Sequence, residues 1–380
     1  MARVFRREFS LIFSDVGALI FFFALPILYP IVYTLIYYPQ VVTDLPIAVV
    51  DHSRTEASRN LVRIASAAPA ISIYAQCADI QEAKDLYGKN EVVAVMEIPE
   101  DYARKVGRGE QATVPVYFEM SLLLRYRALL SALSDIQLKV AADVTEARIE
   151  AVGASSAGGG GLPIQSHSTF LGVPSQGFAS FIMPGVFMLI IQQSMVLGIC
   201  LLRGTSNERR RRNRGYDSME VEASPFAEIF GKTLCYTVLY IPSGIYMIHI
   251  LPEIFSLPHT FTVGPYVLFI LPYLLASAMF GQFVAGFCTE RESAFIVIVF
   301  TSLIFLFLSG LTWPRYAMPP FWKILSDLIP ATWGVEGFVR INSNGASLAE
   351  SSRPYLWLWA LTGGYFILTW LVKRLTSTSK

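Results

Sequence analysis

Charge is scarce in this chain. Only 16% of its 380 residues are Asp, Glu, Lys or Arg, against about 25% in an ordinary soluble domain. The formal net charge is +1, so the chain lacks the overall field that holds a polyanion, and nucleic acid is excluded as a partner. Histidine numbers four, and no Cys/His cluster has metal-ligand spacing. His249, Glu253 and His259, near the end of one apolar run, are of types that could bind a metal, but they read rather as a solvated interfacial cluster. Of four cysteines, Cys200, Cys235 and Cys288 fall in or beside apolar runs, and Cys77 stands alone in a polar region. No intrachain disulfide framework follows. Nucleophile elbows (G-x-S-x-G) and H-E-x-x-H are absent. The triplet GKT at 231–233 lacks the glycine a P-loop needs at 226, where Phe226 stands, so no ATPase site is read in this chain.

What the chain has instead is grease. Hydrophobic residues make up 53%, gathered in six runs near 17–38, 178–202, 229–251, 265–288, 293–312 and 355–372. Each approaches the roughly 20 residues of helix that cross a ~30 Å hydrocarbon core. The first follows Arg3, Arg6 and Arg7, yet it is too long for a signal-peptide core and no A-x-A site follows, so it reads as an uncleaved span. Pro26 and Pro30 inside it are tolerable where neighbouring helices satisfy the freed carbonyls.

Positive charge then sets the orientation. With both termini inside, the short inner segments collect Arg3, Arg6, Arg7, then Arg203, Arg209–Arg212 and Arg214, then Arg291, then Lys373, Arg374 and Lys380. The short outer loop 252–264 holds no Lys or Arg. This is the positive-inside bias, and it explains NERRRRNRG (207–215) without invoking a polyanion. Anionic lipid adds about 1 kcal/mol per nearby basic residue. Before the first span, 1–16 alternates Val4, Phe5, Phe9, Ile12 and Phe13 with Arg3, Arg6, Arg7 and Ser10, which suits an amphipathic helix lying in the inner interface.

Between the first two spans, residues 39–177 are not greasy and should lie outside, since long domains translocate regardless of charge. Strands are predicted at 46–51 (PIAVVD), AISIYAQ, EVVAVMEI and ATVPVYFEM. Helices are predicted at TEASRNLVRIASA, DIQEAKDLYG and 121–151. GASSAGGGG (153–161) reads as a flexible tether. The expected architecture is a polytopic α-helical membrane protein of six transmembrane helices with an inserted α/β extracytoplasmic domain.

The interiors of the spans carry no ion-coupling Asp, Glu, Arg or His, which disfavours a secondary transporter. Gln192 and Gln193 are the polar exceptions, able to line a substrate path or to bond a neighbouring helix. In the segment 309–341, Ser309-Gly310 and Pro314 break the helix. Pro320 and Pro330 then open apolar stretches that suit short half-helices dipping into the outer leaflet, with Trp313, Trp322 and Trp333 in the interface belt.

Several pieces in this order resemble a known family: FRREFSLIFSD with LPILYPIVY, PIAVVDHSRTEASRNLVR, EAKDLYGKNEVVAVMEIPEDYARKVGRGEQATVPVYFE, and LSGLTWPRYAMPPFWKILSDLIPATWGVEGFVRI. Over nearly its whole length the chain resembles the permeases of type-2 ATP-binding-cassette (ABC) exporters, in the subgroup with a large extracytoplasmic domain after the first span. The resemblance implies a permease subunit that exports an unidentified substrate across an inner or plasma membrane, with no cofactor of its own. ATP and Mg belong to cytoplasmic ABC ATPase partners, and a second permease copy or paralogue completes the transporter. The resemblance also implies that the domain 39-177 is periplasmic or extracellular and gates release or receives a periplasmic adaptor.

By the same resemblance, the coupling segment 203–228 meets the ATPase through Glu208, Arg209, Arg210, Gly215, Glu220, Ser224 and Pro225, with Gly231 and Lys232 following. Tyr216 and Glu222 depart from the family pattern. The interfacial helix contributes Phe5, Arg7, Glu8 and Phe9, and the outer gate contributes Ser309, Gly310, Pro314, Pro320 and Pro330. The competing reading is a membrane-anchored binding or sensor protein that works through 39-177.

Overall fold

The structure is a computed structural model that describes residues 1–38, 41–118, 120, 122–151, 177–217, 219–257 and 263–378. The chain divides into two compact units: Met1–Gln40 with Phe170–Lys380, and Val41–Thr169. The expected tether at 153–161 and His259 lie outside the described residues.

In the smaller unit, β1 (Leu45–Asp51), β2 (Ile71–Cys77), β3 (Ala94–Ile98) and β4 (Val116–Phe118) form one sheet of order β2-β1-β3-β4. β1 runs parallel to β2 and β3, and β4 is antiparallel to β3. The helices are α3 (Glu56–Ser66), α4 (Ile80–Gly88), α5 (Tyr102–Arg108) and α6 (Leu123–Ala151). β1 is a near-continuous apolar run because both of its faces are covered. Leu45, Ile47 and Val49 face a core shared with Leu61, Ile64, Tyr102, Leu129 and Ile136. Ala48 and Val50 face a smaller one with Cys77, Ala83 and Val92. Cys77 is thus buried rather than standing in a polar region. α3 begins with a capping box in which Thr55 and Ser58 bond each other's backbone N–H, and the Ser58 hydroxyl also donates to Asp51 at 2.7 Å.

Two expectations are corrected in this unit. The strand expected through ATVPVYFEM is only Val116–Phe118, since Pro115 has no N–H for a ladder. The helix Tyr102–Arg108, closed by Gly109 at φ 75°, was not expected, because seven residues offer too little periodicity to notice.

Among the described residues the larger unit is all-helical: α1 (Ala2–Ser14), α2 (Val16–Ile36), α7 (Phe178–Arg212), α8 (Pro225–Ile254), α9 (Val263–Ala285), α10 (Ser293–Leu308), α11 (Pro320–Asp327), α12 (Pro330–Asn344) and α13 (Ser352–Thr378). Asp15 separates α1 from α2 and caps the latter, accepting from the N–H of Gly17 and Ala18. Five of these helices, α2, α7, α8, α9 and α13, are long and apolar enough to cross a membrane. Six were expected. α10 has 16 residues, about 24 Å at 1.5 Å per residue, short of a ~30 Å core. It stops because Ser309 takes up the last turn and Gly310 enters the left-handed region at φ 85°.

α7 is the spine: 94% of its most apolar stretch is buried, against 22% for α2 and α13, which face outward. It runs unbroken through the arginines to Arg212, so the segment expected as a loop from 203 is helical for its first ten residues. Arginine is a strong helix former and no proline intervenes. At about 52 Å, the 35-residue helix outruns the hydrocarbon core and carries its last turns beyond it.

Candidate functional site

The arginine-bearing end of the helical unit gathers its charges into three linked clusters. The first centres on Asp217, whose side chain is fully buried. It accepts from Arg209 Nε at 2.9 Å and Nη2 at 3.2 Å, from the Ser206 hydroxyl at 2.7 Å, from the Met219 N–H at 3.1 Å and from Arg7 Nη2 at 3.4 Å. Burial by itself would raise the Asp217 pKa, but the bonds from Arg209, Ser206 and Met219 outweigh it and hold the carboxyl well below the ordinary range. One carboxylate therefore ties α1, the end of α7 and the loop that follows.

The second cluster joins α1 to α8 and α13. Buried Glu8 accepts from the Tyr236 hydroxyl at 2.9 Å and pairs with Lys232 at 3.3 Å. Glu228 pairs with Lys232 at 3.1 Å and with Lys373 at 2.7 Å. Gly231 lets the helices meet: a Cβ there would lie 3.0 Å from the Val4 side chain and 3.1 Å from the Met1 carbonyl oxygen.

The third cluster fixes the α9–α10 turn. Glu208 accepts from the Arg291 N–H at 2.7 Å, and the Arg291 guanidinium grips Asp15 at 2.8 and 3.0 Å. Asn207 donates to the Cys288 carbonyl at 2.8 Å, and Arg211 pairs with Glu290 at 2.6 Å. Gly204 is required here, since a Cβ would overlap the Glu290 carbonyl.

Each residue expected in the coupling segment thus has a place. Glu208 and Arg209 turn inward and are spent on the turn and on Asp217. Arg210 pairs with Glu220. Arg214 and Gly215 take positive φ, 51° and 94°, and the Gly215 N–H bonds the Arg210 carbonyl at 2.7 Å, a left-handed stop to α7. The Ser224 hydroxyl caps α8 by accepting from the Ala227 N–H, and Pro225 stands at its first turn. In α1, Arg7 and Glu8 face the protein, whereas Phe5 is half-buried and Phe9 exposed. Outward-facing on this end are Arg211, Arg212, Arg214, Tyr216 and Met219. The hub residue Asp217 was missed, although a lone acid inside a basic run was a usable signal.

The helix breaks at Ser309 and Gly310, with Pro314 opening a short 3₁₀ turn and Pro320 and Pro330 in the first turns of α11 and α12. What was not expected is its lock. Arg315 pairs with Asp327 and Glu336 and lies over the Trp333 ring, 4.2 Å from its centroid. Trp333 is not in an interface belt but fully buried, stacked on Trp357 at 5.1 Å and donating to the Asp327 carbonyl at 2.9 Å. Packing between helices explains this, since three aromatic or charged partners surround it. Gln192 bonds a neighbouring helix, accepting from the Ala331 N–H at 2.5 Å. Both amide atoms of Gln193 are buried with no partner among the described residues.

The model of one family, described as ABC-2 family transporter protein, matches residues 17–371. The chain belongs to the ABC-2 transporter family. As a family member it is a membrane-spanning permease component of an ABC transporter and not itself a catalyst, and membership implies ABC ATPase subunits as partners. The match takes in the spanning helices, the 45–118 sheet and the 203–232 segment, while α1, Asp15 and Lys373 lie outside it. A search of curated proteins found no match.

Proposed function

We propose that this ABC-2 permease is one half of an exporter, driven by a separate cytoplasmic ATPase and moving its substrate outward across the inner or plasma membrane. In this reading both termini are cytoplasmic, the charged end faces the ATPase, and residues 39–177 are periplasmic or extracellular. A second permease copy or paralogue completes the pathway. The carrying observation is the Asp217 hub: its bonds to Arg7, Ser206 and Arg209 join α1, α7 and the loop in one rigid block. A push on that block is transmitted to the helices as a shift of packed elements.

The inward engagement of Glu208 and Arg209 supports a role for them in positioning the loop. Contact with the ATPase then falls to the exposed tip, Arg211, Arg212, Arg214, Tyr216 and Met219, where a basic rim with an aromatic suits a complementary charged groove. Arg315, bound to Asp327 and Glu336, holds the 309–341 segment closed at the outer side. Gln193, whose amide has no partner among the described residues, is the group in the spans best suited to meet a substrate.

The test is affinity purification of the tagged chain in mild detergent with mass spectrometry of what accompanies it. A variant with Arg212, Arg214 and Tyr216 changed to alanine is purified in parallel. An ABC ATPase recovered with the native chain and lost with the variant supports both class of partner and docking tip. An ATPase retained by the variant moves the contact elsewhere, and absence of any ATPase overturns the reading.

A further inference from the structure

Beneath α1 the helical unit holds a pocket of about 70 Å³, walled by α1, α7, α8, α9 and α13. Its lining includes Arg7, Arg203, Lys232, Gln282, Thr369 and Lys373. Three polar atoms of these residues, Arg7 Nε, Gln282 Oε1 and Thr369 Oγ1, are buried with no hydrogen-bond partner among the described residues. Gln282 is 8% exposed and Thr369 3%. Buried polar groups are ordinarily satisfied, so three orphans around one cavity mark a place that a polar ligand completes.

The charges say which kind. Arg7, Arg203, Lys232 and Lys373 converge here, and the carboxylates among them are Glu8, which lines the pocket, and Glu228, which is already shared by both lysines. Asp217 also reaches Arg7, but its charge is matched by Arg209. The four cations outnumber these two carboxylates in a low-dielectric space, where like charges repel strongly and an anion relieves them.

Size and hydrogen bonding narrow it further. A water needs about 10–15 Å³ of such volume, so this cavity takes a group of some five heavy atoms, the size of a phosphate. Arginine, lysine and a threonine hydroxyl are donors fit for phosphate oxygens. Gln282 Oε1 can only accept, so it calls for a hydroxyl on the same ligand.

We propose that this pocket binds a hydroxyl-bearing phosphate group, either the glycerol-phosphate headgroup of an anionic phospholipid or hydrogen phosphate itself. The site stands on its own lining and does not depend on the direction of transport.

The full chain is placed in phosphatidylcholine nanodiscs, and thermal unfolding and native mass spectrometry are followed against three probes: phosphatidylglycerol, the hydroxyl-free phosphatidylmethanol, and inorganic phosphate. Saturable stabilisation by phosphatidylglycerol beyond that by phosphatidylmethanol identifies the lipid headgroup. Saturation by inorganic phosphate alone identifies the free anion. Arg203→Gln should weaken binding about tenfold or more, as loss of a charge-assisted bond does, while unfolding in the absence of anion stays at or above the native temperature because a repelling charge is gone. Arg211→Gln, an equal change of charge at the exposed surface, should bind as the native chain. Should Arg203→Gln fail to fold, Thr369→Val carries the same test, since it removes a hydroxyl with no partner among the described residues. No stabilisation by any probe, or Arg203→Gln or Thr369→Val binding like the native chain, overturns the proposal.

Discussion

Arg209 and Asp217 lie eight positions apart and are joined by two hydrogen bonds, at 2.9 and 3.2 Å, across the stop of α7. The carboxylate is fully buried, and the guanidinium is about a quarter exposed. This fork of donors on a planar acceptor is a geometry that lysine cannot copy, and it turns the chain back so that Ser224 can begin α8.

Asp217→Asn should therefore destabilise the helical unit by about 1–3 kcal/mol, because it leaves Arg209 and Arg7 short of a charged partner. The pH dependence has a definite sign. The folded-state pKa of Asp217 is lowered, so its stabilisation is complete above the unfolded value near 3.9 and is lost as pH falls below that. The gap in unfolding temperature between native chain and variant should stay constant from about pH 8 to pH 5 and narrow below about pH 4. A gap that shrinks already near neutrality would show that Asp217 is not the carboxylate responsible.

Gly204 makes a second case. A Cβ at this position would meet backbone atoms of Glu290 and Arg291 and not the flexible end of a side chain. Gly204→Ala should cost about 1–3 kcal/mol, the range for overpacking, although alanine is the better helix former. At Gly244, where a Cβ has open space around it, the same substitution should be neutral or stabilising. Thermal unfolding of the two variants side by side decides it.

How much of this was readable beforehand follows from the kind of signal each feature leaves. Spans α2, α7, α8, α9 and α13 announce themselves by long apolar runs, and β1 by the PIAVV run between Asp44 and Asp51. Gly215, Ser224 and Pro225 were singled out by family likeness, and each has a local backbone reason to be there. The clusters were not legible. Arg7 meets Asp217 across 210 positions and Asp15 meets Arg291 across 276, and pairings at such separation leave no periodic trace in one sequence. Trp333 was misplaced for a related reason: composition marks a tryptophan near a span end as interfacial, and only packing against Arg315 and Trp357 shows it buried. The end of α7 was missed because a run of arginines reads as a loop by charge while its helix propensity says otherwise.

The cap of α3 tests the smaller unit alone. Thr55 bonds the Ser58 N–H at 3.3 Å, and the Ser58 hydroxyl accepts from the Thr55 N–H at 2.9 Å and donates to Asp51. Thr55→Ala should cost about 1 kcal/mol. Ser58→Ala should cost more, because the partly buried Asp51–Ser58 link at the end of β1 is lost along with the cap. Equal losses would mean that the Asp51 link contributes nothing.

The last case lies at the other lock. Arg315 holds Asp327 and Glu336 at once and covers the face of Trp333, and Arg340 shares Glu336 at 2.7 Å. A lysine at 315 keeps the charge but offers a single point donor, so it can serve one carboxylate at a time and loses the planar stack. Arg315→Lys should therefore behave as a damaging change, costing about 2 kcal/mol through the lost charged bond and the weakened cation–π contact. The stack gives a readout that general destabilisation does not: tryptophan emission in the folded state should change in Arg315→Lys, and that change should vanish when Trp333 is already phenylalanine. If the 309–341 segment also closes the outer side of the transport path, the same variant should raise passive leak of a small solute in proteoliposomes at temperatures well below unfolding. An unchanged leak with an altered emission would confine Arg315 to holding the segment's shape.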